Sequence, residues 1–223
     1  MKREVNLNEI SDGKLYGAND MVKADCNDCK GCSDCCKGMG ESIILDPYDV
    51  YRLTTGLGVS FEVLLNGKLA LDMYEGIILP HLAMNGADEA CAFLSKEGRC
   101  TIHPIRPGIC RLFPLGRIYE NGTFQYFLQT NECSNTNRTK VKVKKWIDTP
   151  ELKKNDEFII NWHDFVNDVQ DKVNSNLEED LIKKINLFVL QHFFIEPYHE
   201  EDFYKQFEMR LAKAKAVIAS LTK

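Results

Sequence analysis

No stretch of the sequence holds eighteen consecutive apolar residues, about what a helix needs to cross a bilayer, so no membrane span is expected. The opening segment, MKREVNLNEISDGKLYGAND, lacks the apolar core of a secretory signal, which makes the cytoplasm the expected compartment. Nucleotide binding and serine-nucleophile hydrolysis are without a motif, because no GxGxxG, GxxxxGKS, GxxxxGKT or GxSxG pattern occurs. Internal repeats and low-complexity tracts are missing as well. So is an excess of positive charge: 28 Lys and Arg stand against 33 Asp and Glu, and the formal charge of −5 argues against a general nucleic-acid binder. The rest is ordinary. With 223 residues, 44% hydrophobic and 27% charged, the chain can bury the core of one domain or two small ones.

Cysteine is the exception. The chain has nine, and five of them fall in CNDCKGCSDCC, from Cys26 to Cys36. Five thiols so close together cannot all be core residues. Cysteines two residues apart bring their sulfurs within reach of one ion, and the thiolate is the form that binds metal. A secreted chain with this density would instead carry disulfides, but the expected cytoplasmic setting keeps thiols reduced. Adjacent side chains diverge, so Cys35 and Cys36 need not share an ion. One can complete a local site while the other reaches a second site with Cys91, Cys100, Cys110 or Cys133. Eight thiolates would fill two four-coordinate sites, which suits tetrahedral zinc or a pair of iron–sulfur clusters. Cys91 or Cys110 alone would read as a buried core thiol, and the knot upstream is what makes them ligand candidates. A ferredoxin pattern competes, since Cys26, Cys29 and Cys32 reproduce its first three cysteines. Cys35 and Cys36 come too early for the fourth, and no proline follows.

Taken in order, residues 1–25 read as a polar arm or a loosely packed strap without chemistry. Ser42–Leu45 suits a buried strand. Asp46-Pro47 starts a helix with Val50, Leu53 and Leu57 inward, closed by Gly56 and Gly58. Ser60 starts a second helix, carrying Phe61, Leu64 and Leu65. Residues 74–84 are strand-like, with Pro80 confining them to an edge or a bend. The runs CAFL and RCTIH flank Lys96-Glu97-Gly98 as a hairpin expected to bring Cys91 towards Cys100, and Arg106-Pro107-Gly108 then presents Cys110. LGRIYE and TFQYFLQ form the clearest hairpin, across Asn121-Gly122. RTKVKVKK reads as a charged connector that could touch an acidic partner.

Three amphipathic helices are expected after it. Thr149-Pro150 begins one with Phe158, Trp162, Phe165, Val169 and Val173 inward. A second spans about 177–194, and the third carries Phe203, Phe207, Leu211, Ala214, Ile218 and Leu221. The fold class is therefore α+β: a cysteine-rich, metal-stabilised region at 1–137 and a helical region at 138–223. Glu196 and His199 have the Glu-x-x-His spacing of di-iron bundles, but Pro197 breaks the helix and the partner glutamates are missing. Arg106 and Arg111, flanking Cys110, are placed to offset thiolate charge by donating to sulfur or to nearby carbonyls. Arg99 and Arg117 could equally pair with Glu97 and Glu120 at the surface.

The segments CKGCSDCC, CAFL, GRCTIHPIRPGICRLFP and Cys133, in this order, resemble the CxxCxxCC cysteine-cluster family of zinc- or iron-chelating proteins over about residues 26–133. The resemblance implies metal binding by Cys29, Cys32, Cys35, Cys36, Cys91, Cys100, Cys110 and Cys133. It leaves Cys26 outside the pattern, as a spare thiol or an alternative ligand, and casts His103 as packing rather than ligation. Flagellin lysine N-methylases, which are longer, carry a similar cysteine region with an iron–sulfur cluster. That likeness implies an alternative, a cluster-dependent enzyme. The cofactor expected is an iron–sulfur cluster or zinc: the dense run resembles loops that wrap a cluster, while a Cys-x2-Cys pair is also the common zinc knuckle. The sequence names no substrate and no protein partner.

Overall fold

A computed structural model describes residues 6–26, 32–130, 132–135, 137–175, 177–199 and 202–222. The fold is α+β, with short antiparallel strands and longer helices. In chain order the first elements are α1 (Leu7–Ile10), β1 (Ser11–Tyr16), β2 (Met21–Asp25), α2 (Pro47–Leu57), α3 (Phe61–Leu64), β3 (Leu69–Tyr74) and β4 (Ile77–Leu82). Next come β5 (Met84–Asn85), β6 (Ala90–Cys91), α4 (Gly108–Leu112), β7 (Leu115–Glu120), β8 (Thr123–Gln129) and β9 (Thr139–Lys142). The chain ends in α5 (Val143–Ile147), α6 (Leu152–Val173), α7 (Glu179–Leu190) and α8 (Phe203–Leu221). Two compact units interleave along the sequence: residues 44–83 with 153–223, and residues 2–43 with 84–152. Among the described residues no helix is long and apolar enough to cross a membrane.

In the unit of residues 44–83 and 153–223, α2 starts as its sequence dictates. The Asp46 carboxylate accepts from the Asp49 amide at 2.8 Å, Asp49 accepts in return from Asp46, and Pro47 supplies the first helical residue. Val50 and Leu53 are buried, but Leu57 is 41% exposed, so the apolar stripe stops a turn early. Gly56 lies inside the helix, and Gly58 alone closes it, at φ 67°. The expected strand at Ser42–Leu45 reduces to a bridge between Ile44 and His81. Strands β3 and β4 pair in register from Leu69↔Leu82 to Tyr74↔Ile77, with Pro80 opposite Leu71. A two-stranded ribbon consists of edges, so a proline costs little there.

Helix α6 begins two residues past Pro150 and buries Phe158, Trp162, Phe165, Val169 and Val173 on one stripe. Helix α7 runs into a π turn at Gln191–Ile195 that stacks Phe193 and Phe194 into the same core. Asn186 ties α7 to the ribbon: its side chain accepts from the Ile78 amide at 2.6 Å and donates to the Gly76 carbonyl at 3.0 Å.

In the unit of residues 2–43 and 84–152, the hairpin β7–β8 has the register expected for a two-residue loop, Glu120↔Thr123, with Asn121 at φ 52° and Gly122 at φ 71°. Strand β1 adds to its outer edge, in the order β1-β8-β7, and β2 pairs with β9. Residues 6–25 are thus not merely an arm: Val22 and Ala24 enter the core with Leu112, Leu115, Tyr126, Leu128, Val143 and Ile147. Burying one such side chain is worth roughly 1.5–3 kcal/mol. The RTKVKVKK run is corrected too. It forms β9 and opens α5, with Val143 fully buried, Val141 packed on the same core and the lysines of β9 exposed. Alternation of lysine and valine matches the two-residue period of a half-buried strand.

Candidate metal centre

The cysteines lie on loops and short turns hung from this second unit. Cys26 follows the last residue of β2 and is only 7% exposed. Cys35 and Cys36 sit in a single 3-10 turn, Asp34–Cys36, in which the Cys36 amide donates to the Ser33 carbonyl at 2.9 Å. Lys37 then bridges to Ala90 and the Gly38 amide donates to Glu89 at 3.0 Å, which fastens the knot to the β6 strand carrying Cys91. The stretch after Cys91 turns back as expected, but through a bridge, Leu94↔Cys100, with the Thr101 amide donating to Phe93 at 2.9 Å. Cys91 itself pairs across to Met84. Cys110 lies in α4, half-buried. Cys133 lies between β8 and β9, and its neighbour Ser134 donates to the Asp34 carboxylate, joining the two loops.

Four of the nine cysteines, Cys26, Cys32, Cys35 and Cys133, line one pocket, with Phe113 and Trp146 as apolar walls. Trp146 is fixed there by its indole N–H, which donates to the Leu112 and Phe113 carbonyls at 3.3 and 3.1 Å. Cys36, Cys91, Cys100 and Cys110 do not line this pocket. Cys29 lies outside the described residues. None of the eight described cysteines is joined to another in a disulfide. Among the described residues no three His, Cys, Asp or Glu side chains stand close enough to hold an ion as they are. The sulfurs ring the pocket without closing on one point, so seating a metal requires them to rotate inward and give up their protons.

On Cys35 and Cys133 the proton is held more firmly than usual. The Cys35 thiol lies far above its ordinary range, chiefly through its hydrogen bond with Cys36, then through burial and the Cys36 charge. Burial raises Cys100, and the Cys35 charge adds to this while Arg106 opposes it. Burial also raises Cys133, with Cys26 and Cys32 adding and Arg138 opposing. The two arginines are thus near enough for their charge to act on these sulfurs. Each carries a buried N–H donor, Nε of Arg106 and Nη1 of Arg138, without a hydrogen-bond partner among the described residues. Buried donors cost free energy when left unmatched. A thiolate-bound metal, whose sulfurs are anionic acceptors, would match them, and soft sulfur donors suit zinc or iron. The donor set fits such a metal.

The remaining residues proposed around the site divide clearly. Arg111, 5% exposed, donates to the carbonyls of Pro104, Arg106 and Asp148, the last at 3.0 Å, and so pins the loop before Cys110. His103 is partnered by the Arg106 guanidinium. Arg117 lies over the rings of Phe124 and Tyr126, at 5.1 and 5.9 Å. Sequence reasoning gives Arg138, hidden within a basic run, no role, and it leaves Cys26 as a spare thiol or an alternative ligand. For Cys26 a signal was available, its two-residue spacing from Cys29.

Fold and site together describe an α+β protein with a thiol-lined pocket. Residues 28–134 match the family model of CxxCxxCC, described as "Putative zinc- or iron-chelating domain", which supports zinc or iron chelation by this stretch. No curated protein and no solved structure matches the chain. Neither the family model nor any other comparison supports a likeness to flagellin methylases.

Proposed function

We propose that this protein holds an iron–sulfur cluster in the cytoplasm, through thiolates drawn from Cys29, Cys32, Cys35, Cys36, Cys91, Cys100, Cys110 and Cys133. The observation that carries the preference for iron is the pair of unmatched guanidinium donors beside the sulfurs. A cluster offers inorganic sulfides as well as thiolates as acceptors, so it gives both arginines more to bond than a single zinc ion does. When bound, such a cluster supplies a one-electron redox centre. Arg106 and Arg138 offset thiolate charge, Phe113 and Trp146 keep water from one side, and Arg111 holds the Cys110 loop in place. Zinc is the second reading, favoured by the Cys29-x2-Cys32 spacing.

Metal and sulfide analysis, with an absorption spectrum, of protein purified without oxygen tests this reading. A brown sample with acid-labile sulfide and roughly four or more irons per chain is expected. A colourless sample with stoichiometric zinc would overturn the iron assignment and leave a closed structural zinc module.

A further inference from the structure

Cys26 lies outside the stretch that matches the chelating-domain family, yet the fold places it in the thiol-lined pocket. Three features put it there. Strand β2 is held in register by β9, at Val22↔Val141 and Asp25↔Thr139, so the chain immediately before Cys26 is fixed. The Thr139 hydroxyl also donates to the Asp25 carboxylate at 3.3 Å. On the facing loop, Ser134 donates to Asp34, which draws Cys133 up beside Cys32 and Cys35. Core burial of Val22 and Ala24 does not by itself require a thiol at position 26. What a cysteine adds is a fourth sulfur on a pocket that already has three.

We propose that Cys26, Cys32, Cys35 and Cys133 form one four-thiolate metal site, so that Cys26 is a ligand and not a spare thiol. This rests on the metal-binding reading above and deepens it. Cys35 goes to this site, and its neighbour Cys36, which does not line the pocket, goes elsewhere. The two thiols are nonetheless hydrogen-bonded to each other, so the divergence expected of adjacent side chains is not seen, and metal binding has to part them. Two segments more than ninety residues apart in sequence, Cys26–Cys35 and Cys133, are then clasped by one metal. The Arg138 donor without a partner lies on the Cys133 side, where the thiolate charge would accumulate.

The test uses the full chain, reduced and stripped of metal, titrated anaerobically with cobalt(II). The intensity of the thiolate-to-cobalt absorption counts the bound sulfurs. Wild-type protein should take up its first equivalent with four-thiolate intensity. Cys26→Ser should lose one thiolate's share of that intensity and bind at least about 100-fold more weakly, since loss even of outer partners costs 10–100-fold. Cys26→Ala keeps the buried position apolar and carries the test if the serine hydroxyl is not tolerated there. Wild-type binding with unchanged intensity and affinity in the folded Cys26→Ala protein would overturn the quartet while leaving metal binding intact. Failure of the wild type to bind cobalt would instead overturn the metal-binding reading beneath it.

Discussion

At the scale of single residues, the thiols are both the most legible feature and the most chemically constrained. Their density and two-residue spacing are local facts, so the sequence alone announces a metal site. That Cys26 and Cys133 line the same pocket is a tertiary fact, and no local pattern carries it. The same burial that gathers the thiols has a consequence for pH. In the metal-free fold, burial lifts Cys100 and Cys133 above their ordinary value of 9.0, against the pull of Arg106 and Arg138. The folded chain then keeps thiol protons that the unfolded chain releases, so stability is full below pH 9.0 and falls as pH climbs through the raised values. Metal reverses the sign, because binding expels the protons and affinity grows with pH over the same range. Urea midpoints of reduced, metal-free protein should drop on the alkaline side, and Cys133→Ala should drop less steeply. Identical slopes for the two proteins would contradict the account.

At the scale of elements, what the sequence revealed depended on how local each element's partner is. The β7–β8 hairpin, the capped start of α2 and the amphipathic helices α6 and α8 were legible because caps, turns and periodicity lie within a few residues. Strands β1 and β9 are not legible as strands in the sequence, because their partners, β8 and β2, lie more than a hundred residues away. The alternating lysines and valines of β9 were the signal overlooked. The central strand pair also depends on a close approach that sequence does not show. Gly116 stands opposite Phe127, and a Cβ there would lie 2.2 Å from Cζ of that ring, itself 7% exposed. The ring has little room to yield. Gly116→Ala should therefore destabilise the protein by about 1–3 kcal/mol, and pairing it with Phe127→Leu should recover part of the loss in a double-mutant cycle. An unchanged urea midpoint for Gly116→Ala would show that the ring moves freely.

At the scale of the whole molecule, the two compact units differ in what holds them. Residues 44–83 and 153–223 bury an aromatic core, with Phe158 and Phe207 rings 4.6 Å apart and Trp162 against Phe193 at 5.0 Å. The other unit has short strands, a smaller apolar cluster and eight of its cysteines among the described residues. Thiolate–metal bonds are the natural complement to so small a core: structural zinc contributes roughly 10–16 kcal/mol in small peptides, about the whole stability of a typical domain. Amide hydrogen exchange on the full chain, loaded with metal and then stripped with verified removal, is the most direct measurement of that claim. Removal should strip protection from residues 32–43 and 84–137 while the amides of α6 and α8 keep theirs. Protection unchanged across both segments after the metal is gone would mean that the thiols do not organise this half of the protein.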